Sequence, residues 1–183
     1  MAAGGGGEEA WEEDEDLSAG SAQPCDQYDN PGFITVINSS SIYWRIQPSA
    51  LTPCDPDRPH TRMIRGGPLI DLPRLQTLLK TGQFDLDNVW FATSGSERDR
   101  TKYRWSTADV LQMFVCLDAA QDFHNAEWCD INGGRTVPCD AYVMRYDTVR
   151  QQRHRHGTEI YLKFSLDAHE VLSIVLVSCH PSR

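Results

Sequence analysis

Apolar and polar positions divide the chain into stretches of different period. Leu72, Leu75, Leu78 and Leu79 recur at spacings of three and four, the pattern of one buried helical face. Asp71 stands where an N-cap belongs, and Pro73 suits a first turn whose N–H groups lack helical partners. Gly82, just past Lys80, is a stop signal. Val110, Leu111, Phe114 and Leu117 form a second stripe behind Ser106, with Asp109 three residues on as a reciprocal cap. In the last third the period changes to two. Ala141 to Tyr146 reads as a strand. Thr158 to Phe164 alternates, with Ile160, Leu162 and Phe164 on one face and Tyr161 and Lys163 on the other. Val171 to Ser178 is more uniformly apolar, as in a strand buried on both faces. Asp167 to Glu170 reads as the turn that pairs these last two strands antiparallel.

Upstream signals are shorter. Phe33–Ile37 and Ile42–Ile46 are β-branched or aromatic runs around a Ser/Asn turn, which predicts a hairpin. Pro48 to Pro59 reads as loop, Val89–Phe91 as a short strand or core segment, and Ser94 to Arg104 as polar and flexible. Together these elements predict an α+β fold, a mixed and largely antiparallel sheet with two or three packed helices. Residues 31–183 are expected to form one compact domain behind an acidic tail, 1–30, whose composition predicts disorder.

Charge refines this picture. The formal charge is −9 over 183 residues. Glu8, Glu9, Glu12, Glu13, Asp14, Glu15 and Asp16 meet no Lys or Arg in the tail, so the body is nearly balanced. An acidic total argues against indiscriminate nucleic-acid binding but leaves room for a basic face on the body. No apolar run reaches the ~20 residues of a membrane helix, and the N-terminus does not resemble a signal peptide. The six cysteines form no CxxC pair. Reduced thiols in a cytoplasmic protein are expected, with the nucleus left open. His124, Cys129, Cys139 and Cys179-His180 make a partial case for zinc, but zinc ligand pairs usually sit closer together, so no metal or cofactor is expected.

The densest basic stretch is Arg150-Gln151-Gln152-Arg153-His154-Arg155-His156, with Arg145 and Lys163 nearby. Guanidinium forks suit phosphate oxygens. Tyr142, Tyr146 and Tyr161 on the flanking strands are candidates for stacking on bases. A solvated loop is the alternative for the same residues. Phosphate loops, nucleophile elbows and HExxH pairs are missing. A thiol–imidazole pair from Cys139 or Cys179 is chemically conceivable but is singled out by nothing. What remains is acid–base chemistry by His, Tyr and Arg, which suffices to cleave RNA by attack of the ribose 2′-hydroxyl on its own phosphate.

Several segments, in order, resemble the MqsR family of toxin ribonucleases. They are Pro59-His60-Thr61-Arg62, Leu75 to Gln83, Ala108 to Leu117 with Asp122-Phe123, Asp140-Ala141-Tyr142, Gly157 to Lys163 and Val171 to Ser178. The likeness spans roughly residues 59–180, and its most specific piece is Tyr161-Leu162-Lys163. It implies a RelE-like fold and metal-independent cleavage of messenger RNA. The family's strand tyrosine falls on Tyr161. A lysine falls on Asn125 beside His124, a glutamine on Cys139, and a closing lysine on His180. The expectation is a divergent endoribonuclease with Tyr161, His180, His124 and Arg145 as its reacting groups. Arg150, Arg153, His154, Arg155, His156 and Lys163 would hold RNA. RNA and an inhibitory protein are the expected partners, and no membrane. Two alternatives stay open: an inactive RNA- or protein-binding member of the same fold, and a scaffold that engages proteins through its acidic tail and 48–59 loop.

Overall fold

The computed structural model describes residues 40–167 and 171–182. The acidic tail and the strand expected at Phe33–Ile37 lie outside the described residues. The α+β expectation holds. Seven strands are present among the described residues: β1 Met63–Ile64, β2 Val89–Phe91, β3 Phe123–Ile131, β4 Arg135–Asp147, β5 Gln152–Arg153, β6 Thr158–Asp167 and β7 Ser173–Pro181. Three α-helices accompany them in the described residues: α1 Leu72–Lys80, α2 Ser94–Tyr103 and α3 Thr107–Cys116. The sheet runs β1-β3-β4-β6-β7-β2, with β5 paired to the end of β4. β2 lies parallel to β7, and the remaining described pairings are antiparallel.

The helical stripes land where their spacing demands. Asp71 caps α1 by accepting from the Arg74 N–H, and Leu72 and Leu75 are fully buried. Each such leucine contributes about 1.5–3 kcal/mol by leaving water. Gly82 follows the helix with φ of 69°, a conformation that glycine adopts without strain. Ser106 and Asp109 form the reciprocal cap of α3, and Val110, Phe114 and Leu117 pack inward. The Gln76 amide of α1 donates to the carbonyls of Phe114 and Leu117 at 2.9 and 2.8 Å, satisfying groups that a helix end leaves open.

The main core lies between these helices and one face of the sheet. Tyr142, Met144 and Tyr146 from β4 meet Ile160, Leu162 and Phe164 from β6 there. Phe164 packs edge-on to Phe114 at 4.5 Å and stacks on Tyr142 at 5.7 Å. A smaller cluster of Ala92, Cys129, Ile131, Cys139, Val175 and Val177 forms separately. The tip of the β3–β4 hairpin reaches back to the other end of the sheet, where the Asn132 N–H donates to the Ala92 carbonyl at 2.8 Å.

Asp140 explains how the segment before α1 is fixed. Its carboxylate is fully buried and accepts from the backbone N–H groups of Leu69 and Ile70 at 2.9 Å. The Tyr142 hydroxyl lies 3.5 Å away. Burial pushes the Asp140 carboxyl up to about 6, against the pull of those hydrogen bonds. Most of the Asp140-Ala141-Tyr142 element is therefore interior structure.

Two local expectations are corrected, and one strand is new. Ile42–Ile46 is not a strand: Ser40–Tyr43 is a 3₁₀ turn, and only Trp44 bridges, to Ile70. Trp44 is buried, so the apolar run marks an anchor and not an extended segment. Ser94 to Arg104 is not flexible loop but contains α2. Thr93 and Ser96 cap that helix reciprocally, and the Thr93 hydroxyl donates to the Val177 carbonyl at 2.8 Å. The new strand is β3, nine residues long, which its weak alternation concealed. The 48–59 loop is tied to it through the Trp128 indole N–H, which donates to the Thr52 carbonyl at 3.1 Å.

Candidate functional site

The alternation of β6 puts Tyr161 and Lys163 on the face away from the helices, as expected. Tyr161 is paired directly with His180 of β7 and with Val143 of β4. The Tyr161 and His180 rings stack with centroids 5.4 Å apart and planes inclined by 23°. His124 arrives from the opposite side. The β3–β4 register shifts between Phe123 and Asn125, so His124 is the extra residue of a bulge, a device that re-aims a side chain. Its exposed ring stands 6.3 Å from that of Tyr161, nearly perpendicular. A second register shift, between Lys163 and Phe164 against β7, lies on the other side of the pair. The phenol is thus flanked by imidazoles from β3 and β7.

Protonation follows from the contacts. His180 Nδ1 lies 2.8 Å from the Pro181 carbonyl. A carbonyl only accepts, so in the neutral ring Nδ1 carries the hydrogen and Nε2 presents its lone pair. The half-buried Tyr161 phenol is pushed up by burial, with a hydrogen bond from Lys163 working the other way. Burial works against the Lys163 ammonium, but its ion pair with Glu127 outweighs this and raises its pKa. Lys163 crosses β4 to reach Glu127 on β3, and its register partner on β4 is only Ala141. Glu127 was not foreseen, because the pairing exists only once three strands are in register. The amide oxygen of Asn125 is buried with no partner among the described residues.

Arg145 lies on the same face one step along β4, paired with Glu159, and their side chains approach to 3.7 Å. It lines a cleft of about 450 Å³ with Val143, Arg153, His154, Arg155 and Glu159. Val143 connects this cleft to Tyr161. The other expected phosphate contacts are unequally placed. Arg155 is exposed. Arg150 approaches Asp147 at 4.0 Å, and the rings of His154 and His156 are 5.8 Å apart. Arg153 grips the buried Asp122 carboxylate with both terminal nitrogens and reaches the Cys116 carbonyl at 3.3 Å. That side chain ties β5 to the end of α3 before it holds anything else. The stretch is not wholly loop, since Gln152–Arg153 forms β5.

Two of the three stacking candidates are ruled out. Tyr142 is fully buried and Tyr146 is 1% exposed, both on the core face. Of these three rings, Tyr161 is the one with a face open to stacking. Thiol chemistry has no better support: Cys139 and Cys179 are buried, and burial pushes both thiols up. Cys129 is the exception, its thiol lowered by a hydrogen bond from Cys139 despite burial. Among the described residues no group of His, Cys, Asp and Glu has the arrangement of a metal site, and no helix is long and apolar enough to cross a membrane. The chain matches no protein-family model, no curated protein and no solved structure.

Proposed function

We propose that the chain is a metal-independent endoribonuclease of the MqsR toxin type, with a RelE-like fold. The observation that carries this reading is the Tyr161 phenol between two imidazoles, beside a cleft lined by arginines. In the proposed reaction His180 Nε2 takes the proton of the ribose 2′-hydroxyl. The new alkoxide attacks the adjacent phosphorus, and the bond to the 5′-oxygen breaks. His124 in its protonated form gives that oxygen a proton. The products are a 2′,3′-cyclic phosphate and a free 5′-hydroxyl, so atoms and charge balance. Lys163 and the Tyr161 hydroxyl steady the negative charge on the phosphoryl oxygens. Arg145 and Arg155 hold the neighbouring phosphates.

The test is incubation of the purified chain with end-labelled single-stranded RNA, with and without EDTA. Cleavage that leaves cyclic phosphate termini and is indifferent to EDTA is expected. Replacing either imidazole, by His180→Ala or His124→Ala, should lower the rate about 10²–10⁴-fold. Cleavage abolished by the chelator, or rates in both variants equal to that of the parent chain, would contradict the assignment.

A second reading has its own support. Lys163, Arg145 and Arg153 each already face a carboxylate: Glu127, Glu159 and Asp122. Cations committed in this way suit a protein that binds RNA without cutting it. RNA retained at low salt and released steeply as salt rises, with no product formed, would favour this reading.

A further inference from the structure

Tyr146 is 1% exposed, and its hydroxyl has no hydrogen-bond partner among the described residues. A buried hydroxyl left unpaired is costly, so what it faces matters. Tyr146 lines a cavity of about 230 Å³ beside the junction of α2 and α3. Tyr103 and Trp105 line the same space and stack on each other, centroids 5.0 Å apart and planes inclined by 27°. Asp109 and Gln151 supply polar groups. The Gln151 amide donates to Asp109 Oδ1 at 2.6 Å, while Asp109 Oδ2 accepts from the Ser106 N–H and hydroxyl. Acceptor capacity therefore remains at Asp109 Oδ1 and at the Gln151 amide oxygen. Burial pushes the Tyr146 phenol up to about 12, so it stays protonated and available as a donor. Arg104 and Gln151, with φ of 55° and 52°, are the non-glycine residues with positive φ among the described residues, and both line this cavity. Such conformations concentrate at ligand sites.

We propose that this cavity takes one unstacked nucleobase bearing an exocyclic amino group, stacked against the Tyr103–Trp105 wall and read by Asp109, Gln151 and Tyr146. The inference rests on the RNA reading above and names a determinant of its sequence preference. Acceptors on one side call for a base edge rich in N–H groups, and the free phenol hydroxyl meets a ring nitrogen or carbonyl. Uracil, with no amino group, fits worst. Recognition of unpaired bases by aromatic stacking plus edge hydrogen bonds is the usual mode for single-stranded RNA. The position suits a strand held on the cleft. Arg145 and Arg153 line the cleft while Tyr146 and Gln151, one and two residues from them, line the cavity. Arg145 and Tyr146 are neighbours on β4 and face opposite ways, so the RNA strand would pass around the end of β4 to reach both.

The experiment measures binding of short oligoadenylate, oligocytidylate and oligouridylate of equal length to the full chain by fluorescence anisotropy. The adenine and cytosine oligomers should bind about tenfold more tightly than the uracil oligomer. Tyr146→Phe should shrink that preference severalfold while raising the thermal midpoint, because it deletes an unpaired buried hydroxyl. A loss of preference through unfolding would lower the midpoint instead. Tight binding of all three oligomers, with Tyr146→Phe leaving their ratios unchanged, would overturn the cavity assignment and leave the RNA reading standing. No binding of any oligomer at low salt would overturn both.

Discussion

β4 and β6 carry two faces that share a backbone and little else. Inward, Tyr142, Met144, Ile160, Leu162 and Phe164 are buried, and the polar group among them, Asp140, has backbone donors for its carboxylate. Outward, Arg145, Glu159, Tyr161 and Lys163 meet one another's charges and the two imidazoles, half-buried or exposed. One strand serves both purposes because its side chains alternate. Inward polar groups are thus expected to govern whether the chain folds, and outward ones what it does once folded.

The sharpest way to break that contrast is to remove the inward carboxylate. Asp140→Ala strands two buried backbone N–H groups, and urea unfolding should show a loss of about 2–5 kcal/mol. A loss below about 1 kcal/mol would mean that the segment before α1 is held by packing alone. The same residue sets a pH trend. Its carboxyl is raised to about 6 in the fold, so the folded state holds the proton more tightly than the unfolded chain does. The stability contributed is complete below about pH 4 and declines as pH rises through about 6, by up to about 3 kcal/mol. Asp140→Asn, which keeps an acceptor but cannot ionise, should flatten that decline in a pH series of thermal midpoints. If the wild-type slope persists in Asp140→Asn, another group is responsible.

Gly157 tests the contrast through the backbone. A Cβ there would sit 2.5 Å from the carbonyl carbon and oxygen of Tyr146, so Gly157→Ala must push the β5–β6 turn away from β4. A loss of about 1–3 kcal/mol is expected, with weaker RNA retention because the displaced turn carries Arg155 and His156. Unchanged midpoints would show that the turn yields freely. The smallest expected effect lies outward. Tyr161→Phe and His180→Ala should leave stability within about 0.5 kcal/mol of the parent even where they change chemistry. A large loss in either would make the stacked pair a structural feature.

The same contrast explains what was legible in the sequence. Helices α1 and α3 announced themselves because each has both a stripe and a cap. The outward placement of Tyr161 and Lys163 followed from period two. α2 did not, because SGSERDRTKY has no apolar stripe. Its buried member is Ser96, and it is held by its cap and by the Thr93 bond to β7. β3 was concealed by the bulge at His124, which interrupts the alternation where the candidate site needs it. Tyr142 and Tyr146 were misjudged as stacking surfaces for a related reason: aromatic rings beside a basic loop look available until register assigns them a face. The partners of the cations, Glu127, Glu159 and Asp122, required register as well. Arg153 is the instructive case, since a guanidinium chosen for phosphate is gripped by a buried carboxylate.

The bond between Asn132 and Ala92 joins chain segments that lie far apart in the order of strands. Loosening the hairpin tip should therefore be felt at the β2 end. Deuterium uptake at the Asn132 amide should rise and fall with that of the amides around Ala92, as one opening event and not two.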